Sequence, residues 1–121
     1  MKKIDDNVLI KNFKKGNIKT ENISNILIYN QFFTNLSAGE KLILTRNNIH
    51  ILHEKLGRNN LIHEGLECKY NIWIVDYENV LFFIYSSKNG THIEYINNLN
   101  PNIDEILTNF LIEFFEILMD K

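Results

Sequence analysis

This chain of 121 residues has one cysteine, one proline and no apolar run longer than six residues. Each shortage excludes something. A lone Cys68 cannot close an intramolecular disulfide, which fits a reducing compartment. The longest apolar run, residues 80–85, falls far short of the roughly 20 residues that cross a bilayer. The opening Met1-Lys2-Lys3-Ile4-Asp5-Asp6 places two acids where a signal peptide needs its apolar core. Together these absences predict a cytoplasmic protein. Also missing are a G-x-S-x-G elbow, a P-loop, a G-x-G-x-x-G turn and paired C-x-x-C units.

What is present is ordinary globular composition: 45% hydrophobic and 23% charged residues, with eight Phe, five Tyr and one Trp to bury. That excludes intrinsic disorder and fits a single domain spanning residues 1–121. Asn and Ile number 19 each. Asn is normally a turn and cap signal, and such abundance dilutes it.

The charge is unevenly placed. Residues 1–60 hold ten Lys and Arg against five acids, whereas residues 61–121 hold three Lys against ten acids. Such asymmetry can steer a charged partner. Two halves of a sequence need not become two faces of a fold.

Asp5 or Asp6 can cap a first helix with Val8, Leu9 and Phe13 on its apolar side and Gly16 as its stop. Thr20 can cap a second, with Ile23, Ile26, Leu27, Phe33 and Leu36 at helical spacing. Residues 40–56 read two ways. Ser37 to Glu40 has capping-box spacing, with Leu42, Ile49, Leu52 and Leu56 then lining one face. The alternation of Leu42 with Leu44 and Ile49 with Ile51, around Asn47-Asn48, favours a β-hairpin.

Strands are expected at 70–75, 80–85 and 91–96. Asp76 to Asn79 forms the first connection, and Asn89-Gly90 is the strongest hairpin dipeptide. The first two strands are apolar on both faces, which predicts a central place covered on both sides or a face kept for a partner. The last element is a helix. Asn100 can cap it, Pro101 suits its first position, and Asp104 and Glu105 favour its dipole. Ile103, Ile106, Leu107, Phe110, Leu111, Phe114 and Leu118 form its core stripe. Ile112, Phe115 and Met119 widen its apolar side beyond one stripe. The fold expected is α+β: an N-terminal helical pair, an antiparallel meander of three to five strands, and a long C-terminal helix on the sheet.

Candidate functional residues follow from the charge. Asp76, Tyr77 and Glu78 at the strand connection, with Glu113, Glu116 and Asp120 on the helix, can oppose a basic partner. Ile112, Phe115 and Met119 can form a dimer seam or a partner face. The basic residues Lys11, Lys14, Lys15 and Lys19 carry no nucleic-acid motif, and direct nucleic-acid or membrane binding is not expected. His50, His53, His63, His92 and Cys68 match no zinc signature, so no metal or other cofactor is expected. Glu67 beside Cys68 would raise rather than lower a thiol pKa.

The expected function is non-catalytic: a protein-binding inhibitor of the immunity or anti-defence kind, which occludes a basic-surfaced partner such as a nuclease. A homodimeric secretion-type chaperone is the first alternative. A small enzyme using His50, His53, His63 or Cys68 is the second.

Overall fold

The computed structural model describes residues 1–14, 36–95 and 101–119. In chain order these form β1 (Lys2–Lys3), α1 (Asp6–Lys14), α2 (Ala38–Leu44), α3 (Ile49–Leu56), β2 (Leu61–Glu64), β3 (Lys69–Tyr77), β4 (Val80–Ser87), β5 (Gly90–Tyr95) and α4 (Ile103–Met119). The sheet is antiparallel and has five strands in the order β1-β3-β4-β5, with β2 also on β3. β1 pairs with β3 at Val75 and Asp76, while β2 pairs with it from Lys69 to Ile72. The two short strands therefore share one edge of β3, end to end. This is the expected α+β architecture, with α4 packed on the sheet. The second helix expected after Thr20 lies outside the described residues.

Residues two apart on a strand share a face, and here both faces are buried. On the first face Trp73, Val75, Val80, Phe82, Ile84, Ile93 and Tyr95 join Leu44, Leu52 and the α4 residues Ile106, Leu107, Phe110, Phe114, Phe115 and Leu118. Phe110 stacks on Phe82 with ring centroids 3.8 Å apart. Each such fully buried side chain contributes roughly 1.5–3 kcal/mol. On the second face Ile72, Ile74 and Phe83 pack with Leu9 of α1, flanked by Ile4, Leu61, Tyr70, Leu81 and Tyr85. The doubly apolar strands are thus covered on both sides.

Residues 38–44 and 49–56 form two short helices, which corrects the hairpin expectation. The capping box forms in full: Glu40 N–H donates to Ser37 Oγ at 3.1 Å, and Ser37 N–H to Glu40 Oε1 at 3.0 Å. The residues of low helix propensity fall at the break between α2 and α3. There the buried Asn48 donates its amide to Ile43 O, Arg46 O and Thr91 Oγ1. Thr91 in turn bonds Ser86, so the corner is stitched to the sheet. Leu42, expected on the buried face, is exposed.

The turns also differ from expectation. Between β3 and β4 the two-residue turn is Glu78-Asn79, both left-handed at φ 51° and 66°, as a type I′ hairpin requires. Between β4 and β5 the turn is Lys88-Asn89, and Gly90 already pairs with Ser87. Gly90 has φ 142°, and a Cβ there would lie 2.8 Å from Leu44 O. Glycine therefore lets α2 approach the sheet. At α4, Ile106 N–H bonds Asn102 O, so Asn102 precedes the first turn and the helix begins later than Pro101.

Asn60 joins the split edge of β3. Its backbone N–H donates to Ile72 O, and its side-chain Oδ1 accepts from Ile74 N–H. Its amide donates to Ile4 O at 2.8 Å and to Asp6 Oδ1 at 2.7 Å. One side chain thus continues the ladder across the gap between β2 and the chain leaving β1. Asn60, with Lys3 and Arg58, holds the Asp6 carboxyl below its usual range.

Two stability measurements test this description. Asn60→Ala strands Ile74 N–H and Ile4 O, and should cost about 2–3 kcal/mol in urea unfolding. Gly90→Ala should cost about 1–3 kcal/mol, because strain and overlap both act there.

Candidate functional site

Three of the six expected partner-binding residues meet at one end of the sheet. The type I′ turn projects Glu78 from the β3–β4 tip, and Tyr77 precedes it. Tyr77 packs edge-on against Phe110 of α4 and Phe82 of β4, with centroids 5.7 Å and 6.4 Å away. Those contacts tie the hairpin tip to α4. They bring Tyr77 beside Glu113, one helical turn beyond Phe110. The Tyr77 hydroxyl is pushed up from its ordinary value, first by burial, then by the Glu113 carboxylate, and also by Glu78. Glu113 Oε1 accepts from the Met1 ammonium at 2.8 Å.

The other three residues are placed differently. Asp76 is opposite Lys2 in the β1–β3 register, and its Oδ1 caps the turn by accepting from Asn79 N–H at 3.0 Å. It is a turn former. Glu116 is exposed, one turn beyond Glu113 on α4. Asp120 lies outside the described residues. The cluster is therefore Tyr77, Glu78 and Glu113, with Glu116 alongside. Glu78 is unusual, since a left-handed φ is uncommon outside glycine and asparagine.

The expected apolar face of α4 divides. Ile112 and Met119 are 56% and 49% exposed, but Phe115 is 3% exposed and belongs to the first core. Phe115 is unavailable to a partner or a dimer seam. Its ring meets Phe114 edge-on, and the sheet-side layer extends around the helix to reach it.

The histidines and the cysteine are dispersed. His53 covers the edge of Trp73 at 5.0 Å, and Trp73 Nε1 donates to Gly57 O. His63 sits opposite Tyr70 on β2, and Cys68 ends the β2–β3 connection, where its carbonyl accepts from Gly65 N–H. Among the described residues, no three His, Cys, Asp or Glu side chains converge as metal ligands. No helix of the described residues is long and apolar enough to cross a membrane.

A second polar feature was not foreseen: an open cleft of about 650 Å³ lined by Lys2, Lys3, Asp5, Asp6, Asn7 and Arg58. Its charges are largely paired. Arg58 bonds Asp6, Lys3 Nζ donates to Arg58 O, and Asp5 accepts from Asn7 N–H. It draws residues from both ends of a 52-residue separation, which no sequence spacing signals.

No family model, curated protein or solved structure matches this chain. The site's chemistry is that of carboxylates and a phenol on a hairpin tip, which offer charge and hydrogen bonds.

Four tyrosines should report on this packing. Tyr77, Tyr85 and Tyr95 are pushed up chiefly by burial, and Tyr70 first by Cys68 and then by burial. A raised folded pKa gives stability that is present below pH 10 and lost as pH rises past it. Absorbance titration at about 295 nm should show most phenolate appearing late and together with alkaline unfolding.

Proposed function

We propose that this protein is a non-catalytic inhibitor of the immunity or anti-defence kind, which neutralises a basic-surfaced partner such as a nuclease by covering its working surface. The observation that carries the reading is the convergence of Tyr77, Glu78 and Glu113 on a buttressed hairpin tip. The exposed Glu78 carboxylate there can occupy a subsite in which a nuclease's Lys or Arg holds phosphate, while Glu113, paired with the Met1 ammonium, steadies Tyr77. Tyr77 adds a rigid aromatic body with a polar end, the kind of residue that anchors interfaces. Glu116 extends the charge along α4 and speeds encounter.

The backbone supports the same reading. Glu78 is held at φ 51° where glycine would cost less. Backbone retained in an unfavourable conformation is concentrated at functional sites. A carboxylate kept at such a position serves binding better than it serves folding.

The test separates those two roles. Glu78→Gly should leave stability unchanged or raise it by up to about 1 kcal/mol. Combined with Glu116→Lys, it should release a basic partner that the unmodified protein captures from host lysate at low salt and loses at high salt. The captured enzyme should be inhibited at a one-to-one ratio. Salt-insensitive capture of an unfolded export substrate would favour a chaperone instead, and a captured protein indifferent to both substitutions would reject this site.

A further inference from the structure

The second face of the sheet ends in a polar corner that the fold does not account for. Tyr85 of β4 lies opposite His92 of β5, and Phe83 lies opposite Glu94. His92 and Glu94 therefore stand side by side on that face. The His92 ring stacks on Tyr85, with centroids 4.7 Å apart and planes 10° apart. Tyr70 meets Tyr85 and His92 edge-on at 6.2 Å and 5.6 Å.

Beside these rings sits a carboxylate that is only 6% exposed. Glu94 Oε1 is 3.6 Å from His92 Nε2, within ion-pair range but too long for a hydrogen bond. Glu94 Oε2 is buried and has no hydrogen-bond partner among the described residues. Leaving a buried charged acceptor without a donor is expensive. Burial, then the Glu94 carboxylate, then the hydrogen bond that the Tyr85 hydroxyl donates to that carboxylate, push Tyr85 well up, so it stays neutral: it gives Glu94 one donor but no counter-charge.

We infer that this corner binds a small organic cation carrying N–H donors, an alkylammonium or guanidinium group, with Glu94 as its counter-ion and the Tyr70, Tyr85 and His92 rings as its wall. The orphan oxygen is an acceptor, so the ligand must bring a donor hydrogen. It belongs to an acid, so a cationic N–H donor is its best match. An aromatic ring attracts such a cation when it is held over the ring face. His92, with 29% of its side chain exposed, marks the way in. A quaternary ammonium has the charge but no N–H, and cannot satisfy Oε2. This site lies across the sheet from the α4 layer and is independent of the inhibitor reading.

The experiment is thermal melting of the whole protein with methylguanidinium, n-propylammonium or tetramethylammonium at matched ionic strength, with the His92 ring followed by NMR. Methylguanidinium or n-propylammonium should raise the melting temperature saturably and shift the His92 signals, and tetramethylammonium should do neither. Glu94→Gln should weaken the response at least fivefold while melting no lower than the parent without ligand. Tyr85→Leu, which keeps the carboxylate and removes one wall, should also weaken it. N-acetyl-arginine amide and N-acetyl-lysine amide distinguish a free cation from a peptide side chain: tighter binding than methylguanidinium or n-propylammonium assigns the site to a side chain, and weaker binding to a free cation. No saturable response, or equal responses in the parent and Glu94→Gln, would overturn the proposal and leave Oε2 to a buried water.

Discussion

The β3–β4 hairpin cannot leave either face in water. Residues Ile72 to Val75 are buried in succession, as are Phe82 to Ile84, so side chains pointing both ways need cover. An antiparallel sheet usually solves only half of this problem, with one packed and one solvated face. Here three helices, α2, α3 and α4, take the first face, and the N-terminal segment takes the second. That division explains the path of the chain. β1 adds to the free edge of β3, Ile4 N–H bonds Ile74 O, and α1 then lays Leu9 on the second face. Asn60 closes the seam where β1 and β2 fail to meet.

This constraint was legible in the sequence because a run such as Ile72-Trp73-Ile74-Val75 has no polar alternation. The last helix was legible for a different reason. Asp104 and Glu105 in its first turn and apolar residues at 3.6-residue spacing agree with one another. Local signals that agree are the ones that survive folding. Residues 40–56 held conflicting signals. Alternation over Leu42 to Leu44 imitated a strand, whereas the capping box and the break at Thr45 to Asn48 described two short helices. What decided between them was tertiary: Asn48 reaches Thr91, 43 residues away.

The same limit applies to the rest. β1 and β2 are two and four residues long, too short for periodicity to register. Asn60 is one asparagine among 19, and nothing local distinguishes a ladder-completing amide from a turn former. The convergence of Tyr77 with Glu113 depends on α4 crossing the hairpin tip, which spacing does not encode. Phe115 looked surplus because a helix seen alone has one core stripe, whereas α4 is enclosed more widely. Charge segregation in the sequence does not become one acidic face. Glu94 is buried, Asp76 caps a turn, and Asp6 is paired across the polar cleft.

The acids therefore sort by what holds them. Glu40 caps α2, Asp76 fixes the β3–β4 turn, and Asp6 ties α1 to Arg58 and Asn60. Each of these is explained by the fold it stabilises. Glu78 is not, because its left-handed backbone would favour glycine and its carboxylate has no ion-pair partner among the described residues. Glu94 is not either, because its buried Oε2 has no hydrogen-bond partner among the described residues. Both are mounted on the central strands, the first at the tip of the β3–β4 hairpin and the second on β5, paired with β4. A group mounted on rigid backbone loses little conformational freedom on meeting a ligand, so more of its interaction energy appears as affinity. Glu78 and Glu94 are thus acids whose positions a ligand would explain better than folding alone does.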